Sequence, residues 1–371
     1  MRIPFFRYPH VFAQHGAELE RALLNAARGG AYILQADLRA FEEELARFCG
    51  VRWAVGVGNA TDGLELNLRA AGVGAGDEVL LPSHTFVATA AAVVAVGARP
   101  VFSEIGSDHL LDPEDLEHRV TDRTRAIMPT QLNGRTADMD RIEVVATRHG
   151  LVIVEDSAQG LGSRFCGRMA GTFGVAGVFS FYPAKILGCL GDGGAVITDD
   201  DSTAEVLREV RDHGRDERTG EVVRWGRNSR LDNIQAAVLR VKLAHVEEEI
   251  ARRRELAQRY HRNLSGLRQL VLPPSPDVPP GDKHFDVFQN YEIEAERRDD
   301  LRAFLTERGV GTLPQWGGKG VHQFPALKIG QRLPRTEAIL ARSIMLPMNT
   351  SLTDDEADYV CEQIVEFYGA S

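Results

Sequence analysis

The chain has 371 residues and a mass of 40.8 kDa, too long for one simple hydrophobic core, and its 43% hydrophobic and 26% charged residues exclude disorder and collagen-like structure. Forty-three basic residues against 53 acidic ones leave a net charge of −10 and a pI near 5.6, a balance that repels phosphate backbones and argues against nucleic acid as a partner. Cys49, Cys166, Cys189 and Cys361 are scattered, with neither a disulfide framework nor a CxxC metal motif, so no metal site is expected. The opening stretch MRIPFFRYPHVFAQHG lacks the apolar core of a signal peptide, and the most apolar run, 87–98, is about half of a membrane span. A cytoplasmic location is expected.

Residues 17–29 and 37–48 have helical apolar spacing. VRWAVGVGNATDGLELNLRAAG then reads as strand, Gly-rich turn and helix, and DEVLLPSHTFVATAAAVVAVGA repeats the unit. RPVFSEI, RAIMPTQ, LVIVEDS, GVFSFYPA and GGAVITDD continue as short strands spaced by helical segments, which predicts an α/β layer with a mainly parallel sheet. From 233 to 260 a long helical pattern follows, then a proline-rich loop at 272–282. DVFQNYEIEA reads as a strand, DDLRAFLTERG as a helix and DDEADYVCEQIVEFY as a terminal helix. The expected division is a large domain, 1–245, and a smaller α+β domain, 246–371.

Chemistry concentrates in three strand-to-turn junctions. GVGNAT follows a strand and opens a helix, where exposed N–H groups favour an anion; Ala60 permits close approach and Thr61 adds a hydroxyl. An ordinary N-cap by Asn59 or Thr61 explains the same residues. Neither GVGNAT nor GVGAGD (72–77) completes a dinucleotide fingerprint, which weighs against a nicotinamide oxidoreductase. LVIVEDS ends in two carboxylates facing opposite sides of the sheet. Asp156 or Glu155 therefore points into the crevice at the strand ends, suited to a protonated ring nitrogen, unless Asp156 simply caps a helix. GVFSFYPAKILGCLGDGGAVIT sets Ser180, Lys185 and four glycines between two apolar strands. Lysine is scarce throughout: only Lys185, Lys242, Lys283, Lys319 and Lys328 occur, and Lys185 is alone in the first 241 residues. Burial there would depress its pKa, as a Schiff-base lysine requires; the alternative is a surface lysine on a loop.

Taken together, GNATDGLEL, PSHTFVATA, VEDSAQGLGS, FSFYPAKILGCLGDGGAV, RDHGR and GRNSRLDNIQAAVL resemble the sugar-aminotransferase family typified by DegT, DnrJ, EryC1 and StrS, and the resemblance runs along essentially the whole chain. It implies the PLP-dependent transferase fold of type I and pyridoxal 5′-phosphate (PLP) as cofactor. By the same resemblance, Lys185 is the lysine that carries the cofactor and Asp156 the carboxylate on its pyridine nitrogen. Gln159 lies near the ring and its 3′ oxygen, and Phe86 stacks on the ring, a contact worth about 1 kcal/mol. Ala60, Thr61 and Ser180 form the phosphate cradle. Asn228 reaches the neighbouring subunit's phosphate, which implies a homodimer with composite sites. Two departures stand out. Asn-Ala-Thr-Asp replaces the family's Ser-Gly-Thr and small residue, and QLNGRTADMD leaves Gln131 or Asn133 where many relatives have histidine near substrate.

For the substrate, the resemblance points to Tyr32 and Ile33 on the N-terminal side of the sugar pocket and to His322, which a plain loop position explains equally; Lys319, by its own flexibility and charge, is a cation suited to a diphosphate, although solvent exposure explains it more readily. His213, in DHG, reads as a turn residue. Retention of Lys185 favours transamination over the dehydratase chemistry of relatives with histidine there. The implied reaction moves an amino group, with L-glutamate as the expected donor, to a dTDP-4-keto-6-deoxyhexose, with natural-product or surface-glycan biosynthesis as its setting. The alternatives are a C3 aminotransferase using a 3-keto sugar and a non-catalytic binding or regulatory protein on the same scaffold.

Overall fold

In the computed structural model, which describes residues 1–277, 279 and 281–369, the apolar segments of the first two hundred residues form one seven-stranded sheet. Its strands are β1 (Trp53–Val57), β2 (Glu78–Pro82), β3 (Arg99–Ser103), β4 (Thr124–Ile127), β5 (Val152–Asp156), β6 (Ala176–Ser180) and β7 (Gly194–Thr198), in the order β1-β7-β6-β5-β4-β2-β3. Only β7 runs against its neighbours; the pairs from β6 across to β3 are parallel. A sheet covered on both faces needs apolar residues at successive positions rather than alternate ones. Thus β2 is buried at all five residues: Val79 and Leu81 join Leu64, Leu66 and Val93 on one face, and Leu80 joins Ile127 and Ile142 on the other. Helices α1 (Ala36–Cys49), α2 (Ala60–Ala70) and α3 (Val87–Ala95) cover these faces, and α1 stops where Gly50 turns left-handed at φ 72°.

A second core surrounds a three-stranded antiparallel sheet, β8 (Leu270–Val271), β9 (Tyr291–Ala295) and β10 (Ser343–Leu346), backed by helices at Val246–Leu264, Arg298–Glu307 and Asp354–Gly369. Tyr260, Tyr291, Ile293, Ile344 and Ile364 fill it together with Ile3, which bridges Val310. The long helical pattern 233–260 is two helices, Asn233–Leu243 and Val246–Leu264; between them the His245 ring stacks on His15 at 4.1 Å. The strand expected over DVFQNYEIEA covers only its second half. Phe288 has a φ of 51°, and the stretch before β9 turns its polar side chains toward the large sheet. Val278 and Pro280 of the expected proline-rich loop lie outside the described residues. No helix among the described residues is long and apolar enough to cross a membrane.

Candidate active site

Parallel strands deliver their last residues to one edge, and the two carboxylates ending β5 separate there. Glu155 is fully buried away from that edge; it accepts the backbone N–H groups of Gly171 (2.8 Å), Phe173 (2.6 Å) and Gly174 (3.3 Å) and the Gln131 amide (2.7 Å). Its lone pairs are spent on structure. Asp156 faces the other way, accepting from the Thr89 hydroxyl at 2.6 Å and the Ala158 N–H at 3.2 Å. Burial pushes the Asp156 carboxyl above its ordinary range, while Thr89, Ala158 and the charge of Lys185 pull it back. Thr89 also pairs with Thr85 at 2.6 Å, so α3 and β5 are tied together directly behind the carboxylate.

Lys185 lies on the turn between β6 and β7. Close packing shapes this turn: a Cβ on Gly188 would come within 2.5 Å of the Pro183 carbonyl. Gln289, reaching over from the second core, accepts from the Ile186 N–H at 2.8 Å and donates to the Ala184 carbonyl at 2.9 Å, clamping the peptides on both sides of the lysine. Burial lowers the Lys185 pKa to about 8, against the opposing charge of Asp156. An amine so placed is a nucleophile near neutral pH.

The helix edge of the site rests on β7. Register sets Gly194 between Val57 and Ser180, the last residues of β1 and β6. A side chain on Gly194 would lie 2.7 Å from the Asn59 carbonyl carbon and 2.8 Å from the Ala60 nitrogen, so only glycine lets the start of α2 settle there. Asn59 takes the N-cap, its Oδ1 accepting from the Asp62 N–H at 2.8 Å. Ala60 and the exposed Thr61 therefore form the first turn, and Ser180 stands opposite at the end of β6.

Phe86, at the N-terminus of α3, is 55% exposed, an aromatic face left uncovered beside buried Thr85 and Thr89. The Gln159 side-chain oxygen accepts from the Asn133 N–H (2.9 Å) and the Asn290 amide (3.0 Å), which leaves its NH₂ end for another partner. Two expected substrate residues sit differently. Gln131 is completely buried; its amide donates to Glu155 and its oxygen accepts from the Ala137 N–H at 2.7 Å, so no polar atom remains for substrate. His322 is buried with Nδ1 2.6 Å from the Ser83 hydroxyl and Nε2 3.2 Å from Glu337, tying its loop to the end of β2. Tyr32 and Lys319 are exposed, the Tyr32 hydroxyl donating to the Ala27 carbonyl at 3.1 Å. Asn228 closes an exposed segment, 221–228, whose Trp225 is 96% exposed. Thr89, Gln289 and Asn290 were not expected; a hydroxyl in an apolar helix and two amides preceding a strand are the signals that mark them.

Residues 13–365 match the model of the DegT/DnrJ/EryC1/StrS aminotransferase family. The chain is 42% identical to dTDP-3-amino-3,4,6-trideoxy-alpha-D-glucose transaminase of Streptomyces venezuelae, covering 99% of this chain and 96% of that one. It is 38% identical to a pleiotropic regulatory protein of Geobacillus stearothermophilus over 99% of each. Among solved structures, that of S. venezuelae DesV in complex with a ketimine intermediate superposes with a TM-score of 0.94 at 41% identity, covering 99% of this chain and 98% of that one.

Proposed function

The chain belongs to the DegT/DnrJ/EryC1/StrS aminotransferase family, and from that premise we propose that it is a PLP-dependent enzyme moving an amino group from an amino-acid donor, L-glutamate, to the keto carbon of a nucleotide sugar. The observation that carries this reading is a half-buried lysine paired with a buried carboxylate next to an open aromatic face: Lys185, with its pKa lowered to about 8, lies within reach of the charge of Asp156, with Phe86 uncovered nearby. An amine tuned in this way beside a carboxylate favours catalysis over a binding or regulatory role.

The residues fit the cofactor. Gly194 leaves the first turn of α2 open to a phosphate, Asp156 offers a carboxylate for a ring N–H, and Gln159 keeps an amide donor in hand. When bound, PLP supplies an aldehyde that captures amines and a cationic ring that withdraws electrons. In this reading Asp156 holds the proton on the ring nitrogen, Phe86 covers the ring, and Ala60, Thr61 and Ser180 receive the phosphate. With the cofactor bound, the Lys185 amine would serve as the base that takes a proton from the donor's carbon and as the acid that delivers one to the sugar carbon in the second half-reaction. Asn228 completes the phosphate site of a partner subunit, a role supported by the wholly exposed segment around Trp225. Tyr32 and Lys319 remain as rim contacts for the sugar nucleotide. The four unpaired cysteines fit a reducing, cytoplasmic setting.

The relative at 42% identity is named for a 3-amino sugar, so C3 of a dTDP-3-keto-6-deoxyhexose is the acceptor position we favour over C4. Incubating the protein with PLP, L-glutamate and each keto sugar, and locating the new amine by NMR, separates the two. Amination of neither, with no 2-oxoglutarate formed, would overturn the reading.

A further inference from the structure

A chain of amides runs from Gln159 into the second core and ends on a carboxylate. Gln159 Oε1 accepts from Asn290 Nδ2 at 3.0 Å; the same Asn290 nitrogen donates to Asn133 Oδ1 at 2.9 Å, and Gln315 Nε2 donates to that oxygen at 3.2 Å. Asn133 Nδ2, the remaining end, donates to Glu292 Oε2 at 2.8 Å. An amide can be turned end for end at almost no covalent cost, so each one takes its sense from its neighbours. An ionised carboxylate only accepts. It fixes Asn133 with its nitrogen toward Glu292 and its oxygen toward Asn290, while the Asn133 backbone N–H, which cannot be turned round, donates to Gln159 Oε1 at 2.9 Å and fixes the sense of Gln159. Reversing Asn133 or Asn290 would face oxygen with oxygen, and reversing Gln159 would face donor with donor.

Glu292, on β9, also grips the loop that carries Phe86. Its Oε1 lies 3.5 Å from His84 Nε2, two residues before Phe86, and its Oε2 lies 3.1 Å from His109 Nδ1. His109 Nε2 is 3.3 Å from Glu294, whose other oxygen accepts from Arg342 at 2.7 Å. All four cluster residues are buried. Burial opposes charge on His109, but the two carboxylates outweigh it and push its pKa up to about 9; burial likewise opposes charge on Glu292, yet the histidines hold it well below the usual carboxylate range. Glu292 thus stays an acceptor.

We propose that Glu292 is a positioning residue: from the second core it anchors Asn133, whose backbone N–H turns Gln159 so that its N–H end faces the ligand, and it holds the Ser83–Phe86 loop against the ring site. This rests on the PLP reading above. The test begins with the purified apo-protein and PLP. Wild type that develops no visible absorbance band overturns the PLP reading and this inference with it. Given a band, Glu292→Gln, nearly isosteric but able to donate, is expected to weaken the PLP dissociation constant about tenfold and to move the pH midpoint of the band, since the contact is polar and oriented. Glu294→Gln, which leaves the Asn133 contact intact, should change neither. Asn133→Gly cuts the tie from Glu292 toward Gln159 while leaving the Glu292 carboxylate and its histidines in place, and it tolerates the φ of 57°, so it gives the same result even where Glu292→Gln does not fold. Wild-type affinity and band in the Asn133 variant, or in Glu292→Gln with only a lowered melting temperature, would reduce Glu292 to a structural tie. Stoichiometric zinc, removed by chelator with loss of stability, would make His84, His109 and Glu292 a metal centre and overturn the assignment.

Discussion

The floor and the rim of the site are built on opposite principles. On the floor, Asp156, Thr89, Thr85, Gln159 and the peptides around Lys185 each have partners within the chain, so geometry is set before any ligand arrives. On the rim, Thr61, Lys319 and the segment ending at Asn228 are exposed, and Trp225 meets almost nothing. Buried polar groups must be satisfied at once, whereas exposed ones are satisfied by water until something better binds. In the proposed reading, proton transfer belongs to the floor, and contact with ligand and partner subunit to the rim.

The most severe way to break that contrast is Lys185→Ala. Turnover should vanish while PLP still binds non-covalently, and borohydride reduction of wild type followed by peptide mapping should find the pyridoxyl group on Lys185; a label on Lys242 or Lys319 would refute the assignment. Next comes Asp156→Asn, expected to lower kcat by orders of magnitude with the fold intact. Its neighbour sharpens the point: Glu155→Gln should chiefly lower the melting temperature, because that carboxylate serves backbone N–H groups. Near-wild-type kcat in Asp156→Asn would move the role elsewhere.

The rim is tested by mixing two silent chains. Lys185→Ala and Asn228→Asp homodimers should each be inactive, yet in a mixed dimer one site takes both lesions and the other neither, so about a quarter of the activity should return after random exchange. No recovery despite demonstrated exchange would mean that Asn228 serves its own chain.

The smallest effect concerns pH. Capture of PLP by the apo-protein should rise through pH about 8, where Lys185 loses its proton, rather than near 10.5, as followed by the rate of absorbance change. Removing the charge of Asp156 should move this midpoint lower still. Because the folded pKa lies below the unfolded one, the unfolded chain binds more protons between about 8 and 10.5, and this lysine's contribution makes apo-protein stability rise with pH across that window. A midpoint near 10 would mean that the amine is solvated.

Much of the floor could be read in the sequence because its parts are local. A strand ending in Glu-Asp and a solitary lysine among glycines announce themselves within ten residues. Which carboxylate faces the crevice could not be read, since period-two alternation separates Glu155 from Asp156 without saying which side is open. The resemblance placed Gln131 where relatives have a histidine near substrate, but here its amide serves Glu155 on the far side of the sheet. Gln289 clamps the lysine turn and Glu292 anchors Asn133 from more than a hundred residues away, and nothing in local spacing encodes such a contact. His322 illustrates the converse, a histidine in a polar loop that proves to be a buried tie to Ser83.

Ile3 carries one more implication, for the order in which the molecule can be made. Its N–H bonds Gly309 and its carbonyl receives Gly311, both at 2.8 Å, inside the second core. On a ribosome that segment is made well before its partners and waits while roughly three hundred residues follow, on the order of half a minute at ordinary synthesis rates. Through that interval the large sheet can assemble but the clamp of Gln289 on the lysine turn cannot. A nascent chain thus acquires its amine early and the geometry to use it last.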